Sequence, residues 1–134
     1  MAGQFHLEII TPTKVYDEGM VDYLRATGVD GAFGVMAGHT EAMMALAVGE
    51  VKVVKGAQTK IFATTQGFAE ITQDLVQLLV ESAESQDEID LKRAQEALDR
   101  AKGHLAHKGE PEEDEDRAMR AIARSLNRLR IAGK

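Results

Sequence analysis

The sequence predicts a chain with β structure first and helices second: an antiparallel sandwich or flattened barrel, followed by an antiparallel hairpin of two helices. Up to Glu88, short apolar stretches alternate with turns that contain glycine. Beyond Glu88 the apolar residues recur at helical spacing, and Pro111 divides this second region in two. We therefore expect a β domain over residues 1–85 and a helical domain over residues 86–134.

The expected strands have simple patterns and identifiable turns. Phe5, Leu7 and Ile9 alternate with their neighbours and are followed by a Thr-Pro-Thr turn, as in a strand with one buried face. Four glycines between positions 28 and 38 are too dense for a helix, and Gly56 suits the turn of a hairpin. The stretches expected to be extended are 5–10, 15–25, 28–38, 51–54, 60–64, 67–71 and 75–80.

Two features of this region concern burial. The last expected strand is apolar at adjacent positions, Leu78, Leu79 and Val80. Both of its faces are therefore expected to be covered, one by the core and the other by the helices or a partner. Met36, Met43 and Met44 could serve adaptable protein contacts, but we expect them to fill the core.

The helices are predicted by two apolar stripes at alternating spacings of three and four residues. Burial of a large aliphatic side chain contributes about 1.5 to 3 kcal/mol, against an ordering cost of about 1 to 2 kcal/mol per residue. Because the stripes hold few large residues, we expect the isolated hairpin to be marginally stable. The first stripe is Leu91, Ala94, Leu98, Ala101 and Leu105, and the second is Met119, Ile122, Leu126 and Leu129.

Composition excludes several classes of function. The chain has no cysteine, and therefore no disulfide framework, zinc-thiolate site or thiol nucleophile. Its net charge of −6 disfavours nucleic acid as the main partner. The first residues lack the basic and apolar pattern of an export signal, and no stretch approaches the roughly 18 apolar residues of a membrane span. We therefore expect a protein that is neither exported nor embedded in a membrane.

The charges of the second helix are segregated along the chain. Residues 110–116 are almost all acidic, whereas every charged side chain from Arg117 to Lys134 is basic. This order complements the helix dipole and is typical of a well-capped helix. It is equally consistent with a basic surface that binds an acidic partner.

Several segments together resemble the epsilon subunit of rotary F-type ATP synthases. The glycine-rich segment 31–39 ends in Gly38-His39, although Ala37 stands where the family usually has proline. Gly67-Phe68-Ala69-Glu70 resembles the family's Gly-Phe-x-Glu strand, and residues 80–84 resemble the acidic stretch that follows its last strand. The order of these features, the chain length and the terminal Asn127-Arg128-Leu129 extend the resemblance over essentially the whole chain.

The resemblance implies a ten-stranded sandwich that binds the gamma subunit and rests on the membrane rotor ring. It also implies a mobile helical arm that reaches the alpha and beta subunits of the catalytic head and restrains ATP hydrolysis. The protein would then be a non-catalytic subunit that couples proton transport to ATP synthesis, peripheral to the cytoplasmic face of the bacterial inner membrane. The acidic linker 109–116 could hinder one continuous extended helix.

The resemblance also implies which residues bind the partners. On the sandwich, contact with gamma or the rotor ring is expected from Gly31, Phe33, Met36, Gly38 and His39. On the arm, the side chains expected to face the acidic surfaces of the catalytic subunits are Arg117, Arg120, Arg124 and Arg128.

Some bacterial members of this family bind ATP without hydrolysing it, through a motif of the form Ile/Leu-Asp-x-x-Arg-Ala. Residues 89–94, Ile-Asp-Leu-Lys-Arg-Ala, satisfy that pattern. Guanidinium groups suit phosphate oxygens, and ATP would act as a regulatory ligand rather than a catalytic cofactor. The alternative is an exposed ion pair of Asp90 with Arg93 near a helix start. The expected ATP-binding residues are Glu84, Ile89, Asp90, Arg93, Ala94, Arg124 and Arg128.

Other chemistry has little support in the sequence. It contains neither a Gly-x-x-x-x-Gly-Lys-Ser/Thr loop nor a Gly-x-Gly-x-x-Gly motif, so nucleotide hydrolysis within this chain is not expected. His104 and His107 are expected to belong to a solvated helix end rather than a metal site, and His39 to make structural hydrogen bonds. A free-standing ATP-sensing module without an enzyme partner remains the competing interpretation.

Overall fold

A computed structural model describes residues 3–106 and 112–134, without the side chains of 106 and 112–114. The chain divides into two compact units, Met1–Gln86 and Asp87–Lys134. Residues 107–111, which include His107, Pro111 and the first residues of the expected linker 109–116, lie outside the described ranges. Among the described helices, none combines the length and apolar character that crossing a membrane requires.

The first unit is one continuous ten-stranded sheet that folds into a sandwich. Its strand order is β10-β7-β6-β3-β5-β8-β9-β1-β2, and β4 pairs with β3 beside this path. Neighbouring strands are antiparallel except β1 and β9, which are parallel. The predicted sandwich is confirmed. The strands are β1 (Phe5–Ile10), β2 (Val15–Val21), β3 (Tyr23–Gly28), β4 (Gly31–Val35), β5 (Ala42–Leu46), β6 (Gly49–Lys55), β7 (Gln58–Thr64), β8 (Gly67–Ile71), β9 (Leu75–Val80) and β10 (Ala83–Ser85).

Side-chain contacts join the two ends of this strand order. The ring of Tyr16 on β2 meets the ring of Phe62 on β7 edge to face, with 5.2 Å between centroids. The Tyr16 hydroxyl donates a hydrogen bond to the Ala83 carbonyl on β10, at 3.1 Å. Lys60 on β7 forms an ion pair with Glu18 on β2, at 3.4 Å. The sheet thus encloses one core, whose largest fully buried side chains include Phe62, Leu7, Ile9, Leu24, Ile71 and Leu78.

Several strand assignments differ from the sequence-based expectation, and the stretch 28–38 is a strand only at its start and over Gly31–Val35. The stretch 15–25 is two strands, because Asp22 interrupts it and accepts a hydrogen bond from the Gly56 backbone N–H. The strands β5 and β10 were not expected. Strand β5 has an apolar side chain, Met43, on its outer face, so its sequence does not alternate between apolar and polar residues. Strand β10 is short and lies in an acidic stretch.

The expectation for the methionines was wrong in part, whereas the last strand has its inner face in the core as expected. Met36 and Met43 are exposed, while Met44 packs against the core, so core filling applies to one methionine of the three. On β9, Val76, Leu78 and Val80 face the core, but Leu79 points outward and remains 40% exposed. Among the described residues of the first unit, the second face of β9 therefore has no cover at Leu79.

The second unit contains helices α1 (Leu91–Ala106) and α2 (Glu112–Ala132), preceded by a 3-10 turn at Gln86–Glu88. The two helices pack against each other, and late residues of α1 lie beside early residues of α2, as expected for an antiparallel hairpin. The acidic residues from Glu112 to Asp116 belong to the first turns of α2.

The buried face of the hairpin is built mainly from small residues. On α1, the predicted stripe is buried at Ala94, Leu98 and Ala101 but exposed at Leu91 and Leu105. On α2, the predicted stripe was wrong: Met119 and Leu126 are exposed, and Ile122 and Leu129 are half-buried. Small side chains allow close helix approach, and apart from Leu98 and Ile131 the larger apolar residues remain at least partly exposed. The buried residues of α2 are Ala118, Ser125, Asn127 and Ile131.

Candidate functional site

An apolar row crosses the outer face of the sandwich. Phe68 on β8 pairs in register with Ala45 on β5 on one side and with Leu79 on β9 on the other. Leu79 pairs with Ile10 on β1, and Ile10 pairs with Val15 on β2. Five neighbouring strands therefore contribute one outward apolar side chain each. We name these five residues the apolar row.

The apolar row is accessible rather than covered. Val15 is 56% exposed, Phe68 53% and Leu79 40%. Part of the row lines a shallow groove of about 640 Å³, which is flanked by Pro12 and by Gln66, whose side-chain amide donates to the Glu81 carboxylate at 2.9 Å. Contiguous exposed apolar surface rimmed by polar groups is typical of a site that binds another protein.

A close backbone approach fixes the middle of the row. A side chain at Gly67 would overlap the backbone carbonyl of Leu79, and its Cβ would lie 2.8 Å from the Cα of Val80. Only glycine permits this distance between β8 and β9. The Gly-Phe pair of the Gly-Phe-x-Glu segment therefore combines close strand packing with an exposed aromatic ring.

The glycine-rich segment forms a separate surface. Gly31 and Phe33 lie on β4, and the remaining expected partner residues, Met36, Gly38 and His39, lie in the following loop. The loop residues and Tyr23 line a cavity of about 420 Å³, and Met36 is exposed. Phe33 instead packs against the core. The three loop residues therefore lie together on this surface, whereas Phe33 packs against the core of the sandwich.

His39 makes a short-range contact. Its Nδ1 lies 2.7 Å from the Thr40 carbonyl oxygen, and its backbone N–H donates to the Met36 carbonyl at 3.2 Å. Gly38, with φ of 82°, provides the left-handed backbone that this turn requires. The structural role expected for His39 agrees with these bonds.

A cationic pocket lies between the helices of the hairpin. Its floor is alanine from both helices, and its volume is about 480 Å³, within the range of small-molecule sites. Three guanidinium groups and one imidazole surround it, which suits a ligand with several negative charges. The polar residues that line this cationic pocket are Arg100, His104, Arg117 and Arg124.

The pocket overlaps only in part with the expected ATP site. Arg124 lines it, whereas Arg128 lies one turn further along α2 and is half-buried. Arg100 and His104 were missed, although Arg100 lies seven residues after Arg93 and seven-residue spacing repeats a helix face. Of the four arginines expected to face a partner, Arg117 and Arg120 are exposed on α2.

The residues of the 89–94 motif begin the first helix. Asp90 is the N-cap of α1: its Oδ1 accepts a hydrogen bond from the Arg93 backbone N–H at 3.1 Å, and its carbonyl accepts from Ala94 at 2.9 Å. The hydrogen bond between Asp90 and Arg93 thus involves the backbone N–H of Arg93. Ala94 is fully buried, Ile89 half-buried and Arg93 exposed, while Glu84 lies on β10 of the first unit.

Comparison with known sequences gives matches over nearly the whole chain. The family model described as "ATP synthase, Delta/Epsilon chain, beta-sandwich domain" matches residues 4–86. The model described as "ATP synthase, Delta/Epsilon chain, long alpha-helix domain" matches residues 87–133. The ATP synthase epsilon chain of Nitratidesulfovibrio vulgaris (strain DP4) is 40% identical over 99% of this chain and 98% of its own length. That of Trichlorobacter lovleyi is 43% identical over 100% and 97%.

Solved structures share the fold at low sequence identity. A chain of the Euglena gracilis mitochondrial ATP synthase, in a structure of OSCP, F1 and the c-ring, matches with a TM-score of 0.80 and 21% identity, over 95% of this chain and 80% of its own. A chain of the Tetrahymena thermophila mitochondrial ATP synthase, in a structure of the central stalk and c-ring, matches with a TM-score of 0.64 and 12% identity, over 96% of both chains.

The N-cap geometry of Asp90 predicts the response of α1 to substitution. Asp90→Ala removes the acceptor for the Arg93 backbone N–H and should lower the free energy of unfolding of the hairpin by about 0.5 to 2 kcal/mol. Asp90→Asn keeps an acceptor and should change the free energy of unfolding by only a few tenths of a kcal/mol. Denaturant unfolding followed by far-ultraviolet circular dichroism measures both values. If both variants lose the same free energy of unfolding, the Asp90 side chain does not cap the helix.

Proposed function

We propose that this chain, which belongs to the ATP synthase epsilon-chain family, is a rotor subunit. It docks on the gamma subunit through its apolar row. In this role it performs no catalysis itself. It transmits rotation between the rotor ring and gamma, so that ion transport is coupled to ATP synthesis, and it associates with the membrane only through the complex, on the cytoplasmic face of the bacterial inner membrane.

The observation that carries the proposal is the exposure of the apolar row. A lone exposed apolar residue requires no explanation, but five outward residues in register on adjacent strands, three of them exposed and two half-buried, form one surface. Such a surface is stabilised when a second apolar surface covers it, at about 25 cal/mol for each Å² removed from water. A central-stalk partner that remains bound through every turn is a suitable occupant, because permanent interfaces are the more apolar ones.

The glycine-rich loop offers a second contact in the same stalk. Met36 is 55% exposed beside a cavity and lies on a loop that Gly38 turns sharply. A flexible methionine adapts to a partner surface with little specificity. We assign this loop to the rotor ring, and the apolar row to gamma.

The helical unit is proposed to restrain ATP hydrolysis. Its second helix carries exposed apolar side chains, Met119 and Leu126, together with exposed Arg117 and Arg120. A helix with both groups exposed can bind a groove that supplies an apolar wall and an acidic rim. The alpha and beta subunits of the catalytic head are the proposed partners of this helix.

ATP is proposed as a regulatory ligand of the hairpin, held by its phosphates in the cationic pocket. The pocket residues come from both helices, so a bound triphosphate would bridge α1 and α2. Ligand at ten times its dissociation constant stabilises the binding-competent form by about 1.4 kcal/mol. For a hairpin whose buried face is mainly alanine and serine, that contribution is sufficient to shift a conformational equilibrium.

A free-standing ATP sensor is the alternative function, and the cationic pocket would serve it equally well. The apolar row distinguishes the two functions, since a sensor that acts alone requires no such surface. Co-purification with gamma supports the stalk function, whereas a stable monomer that binds ATP but not gamma supports the sensor.

Charge placed in the apolar row should prevent docking. Phe68→Glu puts a carboxylate at the centre of the proposed interface and should weaken binding to gamma at least about thirtyfold, the effect of losing a central interface residue. Val29→Glu, at a side chain 60% exposed between β3 and β4, should bind as the natural chain does. Pull-down and biolayer interferometry with purified gamma measure the effect.

The same experiment separates the two candidate surfaces. Met36→Glu tests the glycine-rich loop at a side chain as exposed as Phe68. If Met36→Glu abolishes gamma binding while Phe68→Glu retains it, the apolar row is not the gamma surface. Circular dichroism spectra of all three variants should match that of the natural chain.

Removal of the helical unit should release hydrolysis. An ATP synthase assembled with residues 1–86 in place of the full chain should still contain gamma and should hydrolyse ATP faster, because the proposed restraint has been removed. Steady-state hydrolysis at matched subunit content measures this rate. An unchanged rate in a fully assembled complex would rule out an inhibitory arm.

The cationic pocket predicts which arginines bind ATP. Arg100→Gln and Arg124→Gln each remove a charged donor and should lower ATP affinity by about ten- to hundredfold in calorimetric titrations of the full chain. Arg93→Gln, outside the pocket, is the matched control and should have little effect. If Arg93→Gln lowers ATP affinity more than Arg100→Gln and Arg124→Gln do, the nucleotide binds at the 89–94 motif instead. If the natural chain binds no ATP at millimolar concentration, regulation by ATP is contradicted.

A further inference from the structure

A cluster of three potential metal ligands lies on the outer face of β1 and β2. His6 Nε2 is 2.7 Å from Asp17 Oδ1, and ligand atoms of His6, Glu8 and Asp17 all lie within 4.8 Å of one another. The cluster is separate from the cationic pocket, which belongs to the other unit.

Strand geometry explains why these three residues meet. His6 and Glu8 are two apart on β1 and therefore project from the same face. Glu8 pairs in register with Asp17 on β2. The register shifts between Leu7 and Glu8, and Gly19, with φ of 69°, provides the bend on β2. This bulge brings Asp17 within reach of both His6 and Glu8, which a regular ladder would not do.

Neighbouring groups orient the two carboxylates. The Gly19 backbone N–H donates to Asp17 Oδ1 at 2.9 Å, and the Gln77 side-chain amide donates to Glu8 Oε1 at 3.0 Å. The hydrogen bond from His6, followed by that from Gly19, holds the pKa of Asp17 below its usual 3.8, so that this carboxylate is ionised at neutral pH. Hydrogen bonds to ligand side chains are characteristic of metal sites because they restrict ligand orientation.

We propose that His6, Glu8 and Asp17 form a binding site for a divalent transition-metal ion of the zinc type. Bonds of about 2.0 to 2.2 Å place the ligand atoms of a tetrahedral ion roughly 3.3 Å apart, a spacing that small side-chain rotations reach from the observed cluster. One imidazole nitrogen and two carboxylate oxygens suit Zn²⁺ better than Ca²⁺ or Mg²⁺, which prefer oxygen ligands. Water would complete the coordination, since His6 and Asp17 are partly exposed.

Binding of the metal must replace the hydrogen bond between His6 and Asp17. The ion would take the place of the hydrogen that now joins His6 Nε2 to Asp17 Oδ1, while the neutral imidazole would carry its hydrogen on Nδ1. Lys55 lies close enough to act electrostatically on Asp17 and should oppose a second cation there.

The proposal is tested by titrating the full chain with Co²⁺, whose visible absorption reports ligand geometry, followed by displacement with Zn²⁺. One ion per chain should bind, and His6→Ala and Asp17→Asn should each weaken binding at least about tenfold. Lys55→Gln should strengthen binding several-fold, because it removes a repulsive charge. A strengthening substitution is informative, since damage to the fold could not produce it.

His104→Ala is the matched control, because it removes one imidazole of the His104 and His107 pair in the other unit and leaves the cluster intact. It should bind Zn²⁺ as the natural chain does. The proposal is overturned if His104→Ala abolishes the absorption of bound Co²⁺ or if His6→Ala leaves that absorption unchanged. It is also overturned if the natural chain binds no Co²⁺ or Zn²⁺. Thermal melts of each variant confirm that the fold is retained.

Discussion

The contact between Tyr16 and Phe62 is the constraint on which the sandwich depends. Their strands lie near opposite ends of a single sheet, and the two rings, with the hydrogen bond from Tyr16 to Ala83, hold those ends together. Once the sheet is closed around its core, each strand has one inner and one outer face. The inner faces supply stability. The outer faces of β5, β8, β9, β1 and β2 are then available, in register, for partners and ligands.

Register therefore determines which side chains this face presents. The apolar row and the His6, Glu8 and Asp17 cluster share strands β1 and β2, two residues apart along each, so a slip of one residue would turn both sets into the core. Gly67 contributes by allowing β8 and β9 to approach closely, and the bulge beside Gly19 by moving Asp17 across from Glu8. Glycine positions thus shape an outer surface made by other side chains.

The sequence predicted the fold class well, because alternation and helical spacing are local signals. It predicted outer surfaces poorly. The adjacent apolar residues Leu78 and Leu79 indicated that β9 needs a cover, but the alignment of Leu79 with Phe68 and Ile10 is set by strand pairing between distant segments. Likewise, the stripe predicted for α2 followed the larger apolar residues. The helices instead pack through small residues such as Ala118 and Ser125, and Arg100 lines the cationic pocket although the resemblance did not point to it.

The small-residue interface of the hairpin also explains why a ligand could control it. Alanine buries little apolar area, so close packing of α1 and α2 gains little from the hydrophobic effect. The same packing places Arg100, Arg117 and Arg124 around one pocket, and like charges across a helix pair repel. A polyanion between them replaces that repulsion with charge-assisted hydrogen bonds to both helices. A ligand in the pocket would thus favour the paired state of the helices, which is the property that the proposed regulatory arm requires.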